Sequence, residues 1–155
     1  MDSPIQIFDA RNIFDYIELK HPHHPKNPAF FILKKGRVVY TENLDRIELT
    51  ANHVAIIDSR RVYEILEISD DLELLLVAFS REYTEKLPLK INRLNAFVWF
   101  RNELVRHFRL EPEPFDSIWK TTGLLKSVLE RPEPSAHRDE VIRHLFSSTV
   151  YLFAD

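Results

Sequence analysis

Apolar and polar positions alternate along the first part of the chain and recur at intervals of three and four along the second, with the change near Pro88. Alternation marks strands with one buried face, and spacing of three and four marks helices with an apolar stripe. Ile5-Gln6-Ile7-Phe8 opens as a strand. Ile13 to Leu19 alternates loosely and fits either a strand or a short turn of helix. Prolines and histidines crowd Lys20 to Pro28 and make that stretch a loop. Ala29 to Lys34 reads as a buried strand, Lys35-Gly36 as a turn, and Arg37 to Asn43 as the returning strand of a hairpin. Arg46–Thr50, His53–Asp58, Arg61–Ile68 and Leu72–Ser80 continue the series, with turns at Ala51-Asn52 and Asp70-Asp71. In the third of these, alternation puts Val62, Glu64, Leu66 and Ile68 on one side and Tyr63, Ile65 and Glu67 on the other. Short strands at this regular spacing predict a sandwich or barrel.

Three helical segments follow. Ile91 to Phe108 carries Ile91, Leu94, Phe97, Val98, Leu104, Val105 and Phe108 on one stripe, and Pro112 and Pro114 end it. Phe115 to Leu129 is the second. The third has Ser135 as its N-cap. It carries two adjacent seams: Val141, Leu145, Ser148 and Leu152, and Ile142, Phe146, Thr149 and Phe153. Two seams fit one core contact plus one contact with a partner chain, or a single wide core face. The apolar pattern still runs at Tyr151-Leu152-Phe153-Ala154-Asp155, which reads as a sequence that would continue into a further domain, or as a C-terminus packed into the core.

Composition narrows the classes. With 155 residues, 45% of them hydrophobic, the chain can build one ordinary core. It has no cysteine, hence no disulfide and no thiolate metal site. Only two glycines are present, Gly36 and Gly123, which excludes a glycine-rich phosphate loop, a dinucleotide fingerprint and a G-x-S-x-G elbow. No apolar run approaches the roughly 18–20 residues of a membrane span. Met1-Asp2-Ser3-Pro4 lacks the character of a signal peptide, and a cytoplasmic location is expected. Lys and Arg number 11 against 15 Asp and Glu up to Pro88, then 10 against 9. Neither part has the basic excess of a nucleic-acid binder, so direct DNA binding by this stretch is not expected.

The order of elements and three stretches carry a resemblance. Phe30-Phe31-Ile32-Leu33-Lys34-Lys35-Gly36 is similar to the strand and glycine turn of sensor domains in bacterial AraC-type transcription regulators. Ile47 to Asp58 resembles their apolar strand, two-residue turn and second apolar strand. Leu72 to Tyr83 resembles the late barrel strand leading to helices. The resemblance implies an α+β fold: a cupin-like double-stranded β-helix barrel over residues 1–88, then about three C-terminal helices over 89–155. It implies an effector-sensing barrel, homodimerisation through the helices, and DNA contact only through a helix-turn-helix domain lying beyond this chain.

Candidate chemistry is sparse. His21 and His23 have His-x-His spacing, with His24 beside them and His53 further on, and imidazoles are common metal ligands. Metal-bearing cupins place such a pair on a strand with a Glu soon after. Here prolines interrupt the histidines and the next Glu after Glu18 is Glu42. A solvated loop is the expected reading, with no metal and no cofactor. His107, His137 and His144 read as surface residues. The serines lie in no nucleophile context, and no catalytic constellation emerges. Arg60-Arg61 reads as a pair bridging its own loop, or as one facing an acidic partner. Barrel geometry makes Phe31, Leu33, Tyr40, His53 and Tyr63 the candidate lining for a small-molecule effector. Trp99, Val141, Leu145, Ser148 and Leu152 are the candidate dimer interface. A metal-dependent cupin enzyme and a stand-alone interaction protein are the alternatives.

Overall fold

A computed structural model describes residues 4–87, 107–132 and 136–154. Eight strands and four helices lie in those stretches. The strands are β1 (Ile5–Asp9), β2 (Ala29–Lys35), β3 (Val38–Glu42), β4 (Asp45–Leu49), β5 (His53–Ile57), β6 (Tyr63–Ile68), β7 (Glu73–Phe79) and β8 (His107–Arg109). The helices are α1 (Ile13–Tyr16), α2 (Arg81–Glu85), α3 (Pro112–Glu130) and α4 (Arg138–Ala154).

The strands form two antiparallel sheets. One has the order β1-β7-β2-β5-β8, the other β4-β3-β6. Side chains alternate across each strand, so the larger sheet presents two apolar faces. Phe30, Ile32, Val54, Ile56, Val77 and Phe79 point one way, into a core shared with α3 and α4. Phe31, Leu33, Ala55, Leu74, Leu76 and Ala78 point the other way, toward Val38, Tyr40 and Tyr63 of the smaller sheet. This is the cupin-like α+β arrangement, a two-sheet barrel backed by C-terminal helices.

Phe30 is fully buried and shows how the helices attach. Its ring lies 5.0 Å from that of Phe79 and stacks on Phe153 near the end of α4 at 4.2 Å. Ile142, Phe146, Thr149 and Phe153, the second seam of that helix, are all buried in this layer. Arg138 at the start of α4 donates to the Leu129 carbonyl at 3.1 Å, so α3 and α4 meet as an antiparallel pair.

Three sequence expectations change. The helix read over Ile91–Phe108 does not reach its stated end. His107 and Phe108 lie in β8, which pairs with β5 through His53↔Arg109, Val54↔Phe108 and Ala55↔His107. Residues 91–106 of that helix, and the Ser135 cap, lie outside the described residues. The larger sheet thus takes a strand from beyond Pro88, and the barrel and helices share one core. Pro112 and Pro114 begin α3 instead of only ending what precedes them, because proline suits a first turn whose N–H groups lack helical partners. Finally, β6 does not keep strict alternation. Val39 pairs with Glu67 but Tyr40 with Ile65, so Leu66 is an extra residue. The bulge turns Tyr63, Ile65 and Ile68 to the same interior.

The turns follow their residues with one exception. Gly36 has φ +101°, and a Cβ there would sit 2.7 Å from Ser69 Oγ. The β3–β4 hairpin is closed by Asn43 (φ 48°) and Leu44 (φ 79°). A two-residue turn with both φ values positive favours Asn-Gly, and here Leu44 takes the glycine place while 93% exposed. Positive φ costs a non-glycine residue roughly 1–2 kcal/mol. We therefore expect Leu44→Gly to stabilise the chain, by about 0.5–1 kcal/mol after the entropy that glycine gains in the unfolded chain. Urea unfolding would show it as a higher midpoint at unchanged slope. An unchanged or lower midpoint would mean that the turn is not strained.

Candidate functional site

Between the two sheets lies a cavity of about 60 Å³. One water needs at least ~10–15 Å³ by this measure, so the space is that of a few waters or a small organic group. Sequence accounts for its position. Ala29 on β2 lies opposite Ala78 on β7 and Ile57 on β5. Two alanines side by side leave the space that leucines fill at the other end of the barrel. Phe31 and Leu76 on the larger sheet and Val38, Tyr40, Tyr63 and Ile65 on the smaller one complete the walls.

The end of the cavity is closed by the segment after β1. Ile13, Tyr16 and Ile17 present one side of α1 to the cavity, and His23 and Pro25 continue the cover. This cover is held at both ends. Tyr16 stacks on Phe8 of β1 at 4.5 Å and meets the His23 ring edge-on at 5.4 Å. The backbone at 20–23 also pairs with β6: Lys20 N–H donates to the Ile65 carbonyl at 2.8 Å, and His23 and Tyr63 exchange bonds of 2.6 and 2.8 Å. The proline-rich stretch is thus a loop that borrows the edge of the smaller sheet. The exposed Asn27, also in the lining, marks the way to solvent.

The polar groups of the lining are few. Tyr63 Oη accepts from the buried Asp58 N–H at 2.8 Å. Asp58 also takes the Arg60 guanidinium at 2.8 Å, and Arg61 pairs with buried Glu42 at 3.1 Å, so the two arginines are engaged within the fold. The His23 Nε2 is buried with no hydrogen-bond partner. Burial lowers the His23 pKa, and its neighbour His24 lowers it further, which favours the neutral ring. Burial raises the Tyr40 phenol above its ordinary value, and the nearby Glu42 charge adds to this.

The five residues proposed from sequence separate into two groups. Phe31, Tyr40 and Tyr63 stand in the cavity wall. Leu33 and His53 do not. Leu33 is fully buried in the same layer, but at the opposite end of β2, where Leu49 and Leu74 fill the space. His53 pairs with Leu33 at the far end of β5 from Ile57, and its Nδ1 accepts from Thr50 N–H at 3.2 Å. Sequence reasoning missed Ile13, Tyr16, Ile17 and His23. The spacing of 13, 16 and 17 was the available signal, that of one apolar side of a helical turn.

The histidines do not gather. His21 lies 3.4 Å from Glu18 on the surface, the His24 ring meets the Ser59 carbonyl at 2.9 Å, and His53 sits at the other end of the barrel from His23. Among the described residues no three His, Asp or Glu side chains are grouped as metal ligands. The expectation that this whole cluster is solvated fails at His23, because backbone pairing with β6 fixes that residue against the cavity.

On α4, Val141 is 41% exposed, Ser148 is exposed, and Leu145 and Leu152 are half-buried against the core. Leu124 on α3 is half-exposed. Trp99 lies outside the described residues.

No family model matches the sequence, and no curated protein matches it. Solved structures do. The AraC-like transcriptional activator CuxR superposes with a TM-score of 0.52 at 10% identity, over 81% of this chain and 42% of that one. ToxT from Vibrio cholerae, in a form with unsaturated fatty acid bound, gives 0.48 at 12% identity over 96% and 55%. A cupin protein from Bacteroides fragilis gives 0.36 at 20% identity over 50% and 63%. The chain spans about half the length of ToxT and less than half that of CuxR. At these identities the likeness is one of fold: a cupin-like domain of the kind present in an AraC-like activator.

The Tyr63–Asp58 bond generates a prediction. Tyr63→Phe leaves a buried backbone N–H without its acceptor, which costs about 1–3 kcal/mol. Chemical denaturation should register a loss of that size; a loss under about 0.5 kcal/mol would mean that water replaces the hydroxyl.

Proposed function

We propose that this chain is the effector-binding and dimerisation part of an AraC-type transcription regulator, acting in the bacterial cytoplasm on DNA through a domain outside this sequence. The observation that carries the reading is the apolar cavity between the two sheets, in a fold shared with an AraC-like activator. A cavity walled by aliphatic and aromatic side chains with a few polar groups is the ordinary form of a small-molecule site. The chain performs no chemistry in this reading. Effector binding shifts the population between two packings of barrel and helices, and the DNA-binding units follow. No helix among the described residues is long and apolar enough to cross a membrane.

Ligand binding stabilises a folded state by RT ln(1 + [L]/Kd), about 2.7 kcal/mol at a hundredfold excess over Kd. A library of small, mainly apolar compounds should therefore contain members that raise the melting temperature of this chain. The same compounds should leave Ala78→Leu unmoved, because its added side chain occupies the cavity. Compounds that stabilise the variant as much as the parent would place the site elsewhere and sink the reading.

The dimer is expected to use Val141, Leu145, Ser148 and Leu152, the α4 side left half-open while its neighbour is buried in the core. Val141→Asp should shift the sedimentation profile from dimer to monomer at tens of micromolar with little change in melting temperature, since its side chain is exposed. A monomeric parent chain would count against this face.

A further inference from the structure

We infer that the cavity takes an uncharged, mainly apolar molecule bearing one hydrogen-bonding group, held by the His23 imidazole and the Tyr40 hydroxyl. The inference rests on reading the cavity as the effector site and adds the chemical class of the effector.

The argument starts from what the lining lacks. Its side chains include no Lys, Arg, Asp or Glu. An anion entering would give up its hydration with no cation to receive it, and burying an unpaired charge is among the costliest steps available. The charged group beside the cavity has the wrong sign for a carboxylate. Glu42 is buried near Tyr40, and its field already disfavours a negative charge on the phenol. Arg61, which pairs with Glu42 at 3.1 Å, is committed to that carboxylate. A cationic ligand fares no better, since no carboxylate lines the space.

The lining also has unmet hydrogen-bonding capacity. His23 Nε2 is cut off from water and has no partner in the protein. Such atoms are rare because the lost bond costs about 1–3 kcal/mol, and they mark places where a ligand or water completes the site. Tyr40 lines the same cavity, is buried, and brings a phenol hydroxyl to its wall. A neutral imidazole supplies one donor and one acceptor, and a phenol hydroxyl does both. Together they fit a hydroxyl, a neutral carbonyl or an amide on an otherwise apolar body. Phe31, Leu76 and Ile57 supply the surface for that body.

Three probes of similar size separate the possibilities: p-cresol, toluene and benzoate, each titrated into this chain and followed by methyl chemical shifts. We expect p-cresol to bind about five- to tenfold more tightly than toluene, the worth of one neutral hydrogen bond, and benzoate to bind at least tenfold more weakly than p-cresol. Tyr40→Phe and His23→Leu should each lower the p-cresol affinity about fivefold and leave toluene within about twofold. Two variants on different elements keep the result readable if one of them folds poorly. Benzoate binding as tightly as p-cresol would overturn the inference, as would variants that weaken p-cresol and toluene equally. Either outcome leaves the effector reading standing. Failure of all three probes to shift the cavity methyls would remove both.

Discussion

The larger sheet is apolar on both faces, and most of the architecture answers that fact. A sheet in which Phe30, Ile32, Val54 and Val77 point one way and Phe31, Leu33, Ala55 and Leu76 the other needs cover on both sides. The smaller sheet supplies one cover and the pair α3–α4 the other. Neither cover is independent. The smaller sheet exposes much of its outer face, where Arg37 spans β4 and β6 through Glu48 at 2.6 Å and Glu67 at 3.0 Å. The helices bury one seam each against the larger sheet. Removing either cover would strand several large side chains in water, at about 1.5–3 kcal/mol each.

Because the two covers share one sheet, the cavity and the helices are separated by a single layer of backbone. Phe31 stands in the cavity wall while Phe30, one residue earlier, stacks on Phe153 of α4. Leu76 and Ala78 face the cavity, and Val77 and Phe79 between and after them face the helices. A close-packed layer transmits displacement poorly by bending and well by shifting as a unit. In the proposed reading, an occupant of the cavity would act on the helices through β2 and β7, the strands that face both.

Much of the fold was legible in the sequence because its signals are local. Alternation and turn residues placed the strands from Ile5 to Phe79 within a residue or two, and Gly36 and Asn52 sit at the turns they mark, with φ +101° and 69°. The losses came where a non-local partner decides. Nothing in His107-Phe108-Arg109 announces a strand; it becomes one because β5 offers an open edge. Alternation in Arg61–Ile68 fails at Leu66, since one extra residue reverses every following side chain. The site was legible by face and illegible by depth. Phe31, Leu33, Tyr40, His53 and Tyr63 all lie on strands bordering the interior, but where the interior is empty depends on Ala29 meeting Ala78 across the register.

The same register explains why the cover of the cavity is built from a segment with little regular structure. At the Ala29–Ala78 end the sheets leave a gap that no strand side chain fills. An apolar gap open to water is unfavourable, and α1 with the loop to Pro28 closes it at small cost. Its backbone borrows hydrogen bonds from β6 at Lys20 and His23, and its rings stack through Phe8, Tyr16 and His23. Beyond these contacts the cover is short and its histidine and lysine neighbours are exposed, which is the profile of an element with low local stability. The two-sheet frame, by contrast, is fixed by the requirement to bury both faces of the larger sheet.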